Sequence, residues 1–256
     1  MRNNLIFLGT GTSQGVPVIG CSCLVCTSEQ KKDSRLRSSV LIQLNQKNIL
    51  IDAGPDFRYQ VLRAGIKNID AVFFTHEHRD HVAGIDDLRS FYYLNKQPIS
   101  MYMSKRVYKA LKKDYSYLFS SKEYFGKPKL NINTIQKSNF FSVFNYKVIP
   151  IEAMHYKLPV LGYRIFDLAY LTDANYINPV ELEKLYDLDI LIINCLQKNT
   201  HISHFNLDQV LELINFLKPK ETYLTHISHN LGLHEKIQKE LPKNVYLAFD
   251  QLQIKF

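Results

Sequence analysis

The apolar positions of the chain fall into short β-branched runs that are separated by polar turns. Nine such runs predict strands, at residues 5–8, 39–44, 48–52, 71–75, 147–153, 169–172, 190–194, 222–225 and 245–249. Helical patterns lie between several of them. One begins at Asn178 with Pro179 in its first turn, and another begins at Asn206 and ends before Pro219. The sequence therefore predicts a mixed α/β protein in which helices cover the faces of sheets.

Four of the predicted strands are each followed by a residue that can bind a metal ion. His76 follows VFFT, His155 follows IEAM, Asp173 follows AYLT, and His226 follows TYLT. Strands that end at the same edge of a sheet bring distant residues together on a rigid scaffold. We therefore expect these four side chains to meet.

The stretch THEHRDH, residues 75–81, is the densest group of candidate ligands. Its imidazoles and carboxylate suit zinc, manganese or iron better than calcium or magnesium. Two ions that share a water would lower its pKa and neutralise oxygens at phosphorus or a carbonyl. One ion cannot use all of the candidates, so we predict two: His76, His78 and His155 on one ion, Asp80, His81 and His226 on the other, and Asp173 between them.

The HxHxDH pattern at 76–81, the preceding LIDAG at 50–54, and the later His155, Asp173 and His226 resemble the metallo-β-lactamase superfamily. The resemblance implies a four-layer αββα sandwich with a binuclear metal site at one edge. The division of ligands between two ions follows the pattern of that family. The resemblance also implies that Asp52 orients the loops of the site, as outer groups around metal ligands do.

The N-terminal stretch LGTGTSQGVPVIGCSCLVC, residues 8–26, resembles the start of the phosphoribosyl cyclic phosphate phosphodiesterases of phosphonate breakdown. It is more loosely similar to proteins of pyrroloquinoline quinone biosynthesis. The resemblance implies a structural zinc that is held by clustered cysteines and one later histidine, three residues beyond the last catalytic ligand. In this chain these residues are Cys21, Cys23, Cys26 and His229.

Composition sets the frame for these motifs. At 256 residues and 46% hydrophobic, the chain can bury a substantial core, and no linker divides it, so residues 1–256 are predicted to form one domain. No apolar run approaches the ~18 residues of a membrane span, and the opening stretch lacks the pattern of a secretory signal. We therefore predict a cytoplasmic protein, whose reduced thiols favour metal binding over disulfides.

The net charge of +8 is concentrated in one segment. Residues 96–150 hold eleven Lys+Arg against Asp114 and Glu123, a local charge of +9, and are rich in tyrosine and phenylalanine. We predict that this basic, aromatic-rich segment is inserted into the domain and receives an acidic substrate. A merely solvated lysine surface explains the charge equally well.

His201 and His204 lie just before the helix that begins at Asn206. In phosphodiesterase members of the superfamily a histidine at such a place approaches the scissile phosphate, and His204 matches that position better than His201. Asp80 is the second residue to which we assign a catalytic role. The predicted reaction is hydrolysis of a phosphodiester, with a hydroxide that bridges two ions as nucleophile and His204 assisting the leaving alkoxide.

The predicted cofactors are two catalytic divalent ions, of zinc, manganese or iron, and one structural zinc. A small phosphodiester, with a cyclic phosphate as first choice, is the predicted substrate. Three alternatives stay open: a nuclease similar to ribonuclease Z, a hydrolase of thioesters or lactams, and a non-catalytic biosynthetic accessory protein. RNA is the less favoured partner, since the segment 96–150 has only Gly126 where that family's tRNA-gripping arm is glycine-rich. No membrane partner is expected, and a homodimer is left open.

Overall fold

The computed structural model describes residues 3–120 and 126–256. Lys122 and Glu123, which enter the predicted local charge of the basic segment, lie outside the described residues. Among the helices of the described residues, none combines the length and the apolar character that a membrane crossing requires.

Two β-sheets form the centre of the described molecule. The first has the order β15-β1-β2-β3-β4-β5-β6. Its strands are β1 (Asn4–Gly9), β2 (Ser39–Leu44), β3 (Lys47–Ile51), β4 (Ala71–Phe73), β5 (Ile99–Ser104), β6 (Leu130–Ile135) and β15 (Gln253–Lys255). Strands β3 to β6 are parallel to one another, so their carboxyl ends share one edge of the sheet.

The second sheet has the order β11-β8-β9-β10-β12-β13-β14, with β7 paired to β8. Its strands are β7 (Phe141–Val143), β8 (Tyr146–His155), β9 (Leu158–Ile165), β10 (Leu168–Leu171), β11 (Tyr176–Ile177), β12 (Ile190–Asn194), β13 (Glu221–Thr225) and β14 (Val245–Leu247). Here β10, β12, β13 and β14 are parallel, and their carboxyl ends again lie at one edge.

Helices cover the outer faces of both sheets. They are α1 (Phe57–Ala64), α2 (Arg79–Val82), α3 (Arg89–Asn95), α4 (Lys105–Asp114), α5 (Ser116–Phe119), α6 (Pro179–Leu182), α7 (Leu207–Leu217) and α8 (His234–Glu240). The predicted start of α7 is confirmed, because the Asn206 side chain accepts from Gln209 N–H while the Gln209 side chain accepts from Asn206 N–H.

The core has three layers of packing, as an αββα sandwich requires. Ile49 and Ile51 of β3 point between the sheets, whereas Leu50 points to the outer face and packs in a cluster with α1, α3 and α4. The other outer cluster joins the second sheet to α7 and α8. Strands buried on both faces read as continuous apolar runs, and this explains the patterns from which they were predicted. The predicted fold class is confirmed.

The segment 96–150 contributes to both sheets. Its described residues form β5, α4, α5, β6 and β7 and begin β8. Strand β6 is the edge strand of the first sheet, next to β5. The description of the chain as one domain with an inserted segment stays a prediction.

Candidate active site

The predicted ligands at strand ends lie together where the two sheets meet. The loop after β4 carries His76, β8 ends with His155, the turn after β10 carries Asp173, and His226 follows β13. Hydrogen bonds join the sheets here, since Leu161 N–H donates to Thr75 O and the Tyr163 hydroxyl donates to Phe74 O at 2.6 Å. We call the seven predicted ligands of this edge the rim cluster: His76, His78, Asp80, His81, His155, Asp173 and His226.

Three residues at these strand ends have left-handed backbone conformations. Asp52, which follows β3, has φ of 63°, Asp173 has 57°, and His226 has 55°. Such values are uncommon outside glycine, although Asp and His tolerate them better than most residues, and they cluster at functional sites. The sharp change of direction lets each side chain leave its strand and turn towards its neighbours.

The THEHRDH loop packs tightly against the LIDAG stretch. Ala53 N–H donates to His81 O at 2.8 Å, and a Cβ at Gly54 would collide with the carbonyl of Asp80. Only glycine permits this approach. The short helix α2 then turns Asp80 and His81 towards the second sheet.

Four members of the rim cluster form a compact group. One donor atom from each of Asp80, His81, Asp173 and His226 lies within 4.8 Å of the others. His81 Nε2 is 3.1 Å from Asp80 Oδ2 and 3.1 Å from Asp173 Oδ2, yet it makes a hydrogen bond with neither. The group matches the ligands predicted for one ion together with Asp173.

Asp52 orients two histidines of this edge. Its carboxylate accepts from Thr75 N–H, from the Thr75 hydroxyl and from His81 Nδ1, at 2.7–2.8 Å. Because the Thr75 hydroxyl gives its proton to Asp52, it accepts from His76 Nδ1 at 2.9 Å. Both imidazoles therefore carry hydrogen on Nδ1 and present Nε2 to the centre of the cluster.

The inward nitrogens of three histidines test whether cations fit this site. Nε2 of His76, His81 and His226 is buried without a hydrogen-bond partner. Buried polar atoms are rarely left unsatisfied, and imidazole nitrogens held in this tautomer by an outer partner are metal ligands in many proteins. The donors of the rim cluster fit divalent cations, which this fold implies.

The predicted trio for the other ion shows a looser arrangement. The ring centroid of His78 lies 4.6 Å from that of His76 and 5.1 Å from that of His155, and His78 is exposed. His155 Nδ1 donates to Ser203 O at 2.8 Å, which leaves its Nε2 free. The tightest group at this end joins His155 and Asp173 with His204 rather than with His76 and His78.

His204 lies inside the site, whereas His201 is exposed beside it. The His204 ring stacks on that of His226 at 4.9 Å and lies 4.6 Å from that of His155. Its Nδ1 is buried and 3.8 Å from Asp173 Oδ1. Burial, and then the neighbouring His226, lowers the pKa of His204 to about 3, so its ring is neutral.

Electrostatics at the compact group favour positive charge. Burial alone would lower the pKa of His81, but the carboxylates of Asp80, Asp173 and Asp52 raise it well above its ordinary value. Burial likewise opposes ionisation of Asp80, yet His81 lowers the pKa of that carboxyl. The potential that retains a proton here also attracts a divalent cation, and the two compete.

The model of the beta-lactamase superfamily domain matches residues 47–227, more than half of the chain. A crystal structure described as a new diphosphatase from the PhnP family covers the whole of this chain and 98% of its own, at 38% identity and a TM-score of 0.93. The chain belongs to the metallo-β-lactamase superfamily, in its PhnP branch. The resemblance to this superfamily that the sequence showed is confirmed.

Two curated relatives widen the comparison. The octanoyltransferase of Porphyromonas gingivalis is 40% identical over 250 residues, which are 97% of this chain and 50% of that protein. The ribonuclease Z of Acaryochloris marina is 30% identical over 161 residues, 60% of this chain and 45% of that protein. The chain thus spans about half the length of the curated relatives it matches. A diphosphatase and a ribonuclease Z are thus both among the proteins to which the chain is similar.

A second cluster of this superfamily member lies apart from the rim cluster. His229 Nδ1 is 3.3 Å from the sulfurs of Cys21 and Cys23 and 3.4 Å from that of Cys26. We call these four residues the cysteine cluster. With zinc–sulfur and zinc–nitrogen distances of about 2.3 and 2.0 Å, a tetrahedral site places sulfur and nitrogen roughly 3.5 Å apart. The donors therefore fit the predicted zinc.

The thiols of the cysteine cluster differ in acidity. A backbone hydrogen bond from Cys26, and then His229, lowers the pKa of Cys23 to about 6, whereas burial raises that of Cys26 to about 11. Cys195, in contrast, is fully buried and belongs to the apolar core, as its place in LIINC indicates.

Sequence reasoning missed the threonines that precede the ligands. The Thr75 hydroxyl links His76 to Asp52, and the Thr172 hydroxyl donates to Asp173 Oδ2 at 2.7 Å. Asn194, at the end of β12, stabilises the turn that carries Asp173. Its side chain accepts from Ala174 N–H and donates to Ala174 O. A signal was present, because a threonine ends the runs VFFT, AYLT and TYLT alike.

Proposed function

We propose that the chain is a metal-dependent hydrolase that acts on a phosphate linked through two oxygens, with a phosphodiester as its substrate. Three features support this proposal. The rim cluster has donors that fit divalent cations, His204 lies beside it, and a diphosphatase and a ribonuclease Z are among the relatives of the chain. The small cyclic phosphate of the branch that the N-terminal stretch resembles is the first substrate to test.

The observation that carries the proposal is the position of His204. A hydrolase that needs only cations and water has no requirement for a further histidine between His155 and His226. Hydrolysis of a phosphodiester breaks a P–O bond and expels an alkoxide, which is a poor leaving group, and a nearby proton donor accelerates its departure by roughly 10²- to 10⁴-fold. His204 is placed to make such a contact.

The residues of the rim cluster would divide into two sets, one for each cation. Asp80, His81 and His226 would hold one ion, and His76, His78 and His155 the other. The Asp173 carboxylate lies within 4.8 Å of the donors of the first set and of His155. When bound, two divalent cations neutralise charge on phosphate oxygens and lower the pKa of water at the site. Zinc and manganese suit these donors, and iron is a third choice.

His204 and Asp80 have separate roles in this scheme. The neutral ring of His204 offers one N–H for a hydrogen bond. An anionic phosphate nearby would raise its pKa and so favour the protonated ring, which can give its extra proton to the leaving alkoxide. Asp80 stays ionised because His81 lowers its pKa, so it would serve as a ligand and accept a hydrogen bond from water at the site, which orients that water. Asp52 holds His81 and, through Thr75, His76 in the required tautomers.

A substrate panel tests the proposal. The purified protein, loaded with zinc or manganese, is assayed on bis(p-nitrophenyl) phosphate, a ribose cyclic phosphate, a dinucleoside diphosphate, an octanoyl thioester and a lactam. The phosphate substrates should be hydrolysed, and His204→Ala should lower their kcat by at least about 10²-fold without changing metal content. His201→Ala, which removes an exposed ring 5.2 Å from that of His204, is the matched control.

The result that contradicts the proposal is equally clear. Turnover of the thioester or the lactam alone, with kcat unchanged in His204→Ala, would assign the site to a different hydrolase of the same fold. A protein that binds its full set of cations yet turns over none of the five compounds would favour the biosynthetic accessory role.

A ribonuclease Z-like nuclease is the second candidate, and one observation favours it. Lys109, Lys112 and Lys113 are exposed on α4, and Arg106 of the same helix pairs with Glu77 of the THEHRDH loop at 3.0 Å. The basic surface therefore lies beside the loop of the rim cluster. If it binds tRNA, affinity should fall steeply between about 50 and 200 mM salt. The slope of log affinity against log salt concentration should then be about proportional to the number of phosphates contacted.

We further propose that the cysteine cluster holds a structural zinc. Its closed tetrahedral set would pin residues 21–26 to the segment that follows His226, since His229 lies three residues beyond that ligand. A cytoplasmic location and a homodimer stay predictions from the sequence.

A further inference from the structure

Helix α4 contacts the THEHRDH loop through its first turn. Arg106 Nη1 pairs with Glu77 Oε1 at 3.0 Å, while Nη2 of the same guanidinium donates to the carbonyl of Pro159. Glu77 lies between His76 and His78, and Pro159 lies in β9, opposite Met154 of β8 and one residue beyond the Leu158 that pairs with His155. One side chain thus links the loop of the first sheet to the hairpin of the second.

The end of α4 contacts the same loop with the charges exchanged. Arg79, from the loop, pairs with Asp114 at 3.4 Å, donates to the Tyr115 hydroxyl at 3.3 Å and lies 5.9 Å from that ring. Helix α4 therefore contributes the positively charged side chain of the ion pair at its start and the negatively charged side chain of the pair at its end.

His78 lies between the two points of contact. It is the exposed histidine of the loop, and its flanking residues, Glu77 and Arg79, are the two that α4 binds. The His78 carbonyl accepts from His81 N–H at 3.0 Å, which begins the turn of α2. The direction of the His78 ring consequently depends on how its two neighbours are held.

We propose that α4 is a positioning element for His78, and that Arg106 is its principal residue. The proposal rests on the proposed cation site but not on any substrate. It gives part of the basic segment a role that is distinct from binding an acidic partner. The alternative is that both ion pairs are ordinary surface pairs, which contribute little.

Arg106 should matter more than Arg79 for a geometric reason. A guanidinium holds two acceptors in a fixed plane, and Arg106 uses this to bridge a carboxylate and a carbonyl from different sheets. Arg79 is 69% exposed and its partner Asp114 is 38% exposed, so water screens that pair.

Cation binding to the full chain gives the test. The affinity of the metal-free rim cluster for Mn²⁺ is measured by calorimetry, with melting temperature of the metal-free protein and zinc content of the cysteine cluster recorded in parallel. Arg106→Met should weaken one of the Mn²⁺ sites by about 10-fold, the low end of the effect of losing an outer group, because Arg106 contacts the residues beside the ligands and not the ligands themselves. Zinc content and melting temperature should hardly change.

Matched variants sharpen the result. Lys105→Met, which removes an exposed neighbouring charge from the same turn, should bind Mn²⁺ like the wild type. Arg106→Lys should recover part of the affinity, and Asp114→Asn should weaken it by less than about threefold. Glu77→Met added to Arg106→Met should weaken binding little further, because both changes break one contact.

Each contrary outcome has a separate meaning. Unchanged Mn²⁺ affinity in Arg106→Met overturns the positioning role. Equal losses of melting temperature and of zinc at the cysteine cluster overturn it as well, since Arg106 would then support the fold in general. If the wild type itself binds no Mn²⁺ at the rim cluster, the proposed function fails instead.

Discussion

The rim cluster and the cysteine cluster are both sets of metal-binding side chains, but they are built in opposite ways. The rim cluster draws its donors from both sheets and spans residues 76 to 226, and most of its donors are buried. The cysteine cluster takes three donors from residues 21–26 and one from His229, and all four are half-buried. One depends on the whole fold, whereas the other fastens two surface segments.

The two clusters also differ in the type and the number of their donor atoms. The rim cluster mixes nitrogen and oxygen, has more donors than a single ion needs, and is accompanied by His204. The cysteine cluster has four donors at nearly tetrahedral separations and no surplus. A site with a surplus of donors can leave a position for substrate, but a closed set of four cannot. This contrast agrees with the proposed roles, which are catalysis at the first cluster and stabilisation at the second.

The strongest way to break this comparison is to remove a carboxylate from the rim cluster. Asp80→Ala deletes an oxygen that lies 3.1 Å from His81 Nε2, so one cation should be lost while the cysteine cluster keeps its own. We expect kcat/KM on bis(p-nitrophenyl) phosphate to fall by at least about 10³-fold. Enzyme assays with elemental analysis of the same sample measure both effects. Near-normal turnover would show that Asp80 is not needed for catalysis.

A second change tests the support beneath the rim cluster. Asp52→Asn keeps the shape of the side chain and tolerates the left-handed backbone, but it removes the charge and offers one acceptor oxygen where the carboxylate receives three hydrogen bonds. Affinity for the rim cations should fall by about 10- to 100-fold. Calorimetric titration with Mn²⁺ measures it, and wild-type affinity would contradict the orienting role of Asp52.

A third change addresses the cysteine cluster. Cys23→Ser should remove one ion per chain and lower the melting temperature by roughly 10 °C, because binding of a structural metal stabilises the folded state. Turnover per remaining rim site should fall less than about tenfold. Chelation of the wild type should mimic the loss of stability. Retention of every ion after the substitution would show that the cluster holds no metal.

The smallest expected effect concerns the joint between the sheets. The buried Tyr163 hydroxyl donates to Phe74 O at 2.6 Å, just before the THEHRDH loop. Tyr163→Phe removes this bond without creating a cavity and should lower the free energy of unfolding by about 1–2 kcal/mol. Urea unfolding measures the loss, with Tyr170→Phe as the control, since the Tyr170 hydroxyl is buried without a partner. Equal effects of the two variants would argue against a specific joint.

The meeting of His76, His155, Asp173 and His226 at one edge could be expected from the sequence, because each follows a strand with a strong apolar pattern. That these residues bind metal stays a prediction. The sequence predicted the cysteine cluster only through resemblance, since nothing local connects Cys21 to His229 across more than 200 residues. The groups that orient the ligands were harder to find. Asp52 was expected from the family, whereas the roles of Thr75 and Thr172 depend on hydroxyl contacts that no spacing shows.

The segment 96–150 was the least predictable part of the fold. Strand β5 alternates the buried Ile99, Met101 and Met103 with partly buried residues, and β6 is buried only at Ile135. Lysines dominate α4, so these three elements lack the continuous apolar runs by which the other strands were predicted. Their place follows from pairing to β4 and from packing of Val107 and Leu111 in the outer cluster. Such tertiary contacts override local preference.

The left-handed backbone at Asp52, Asp173 and His226 has a practical consequence for mutagenesis. Alanine at these positions would remove the functional group and also force a conformation that its Cβ disfavours by about 1–2 kcal/mol. An alanine scan would therefore overstate the chemical importance of all three. Glycine replacements, which accept this conformation freely, report the loss of the side chain with less of that distortion.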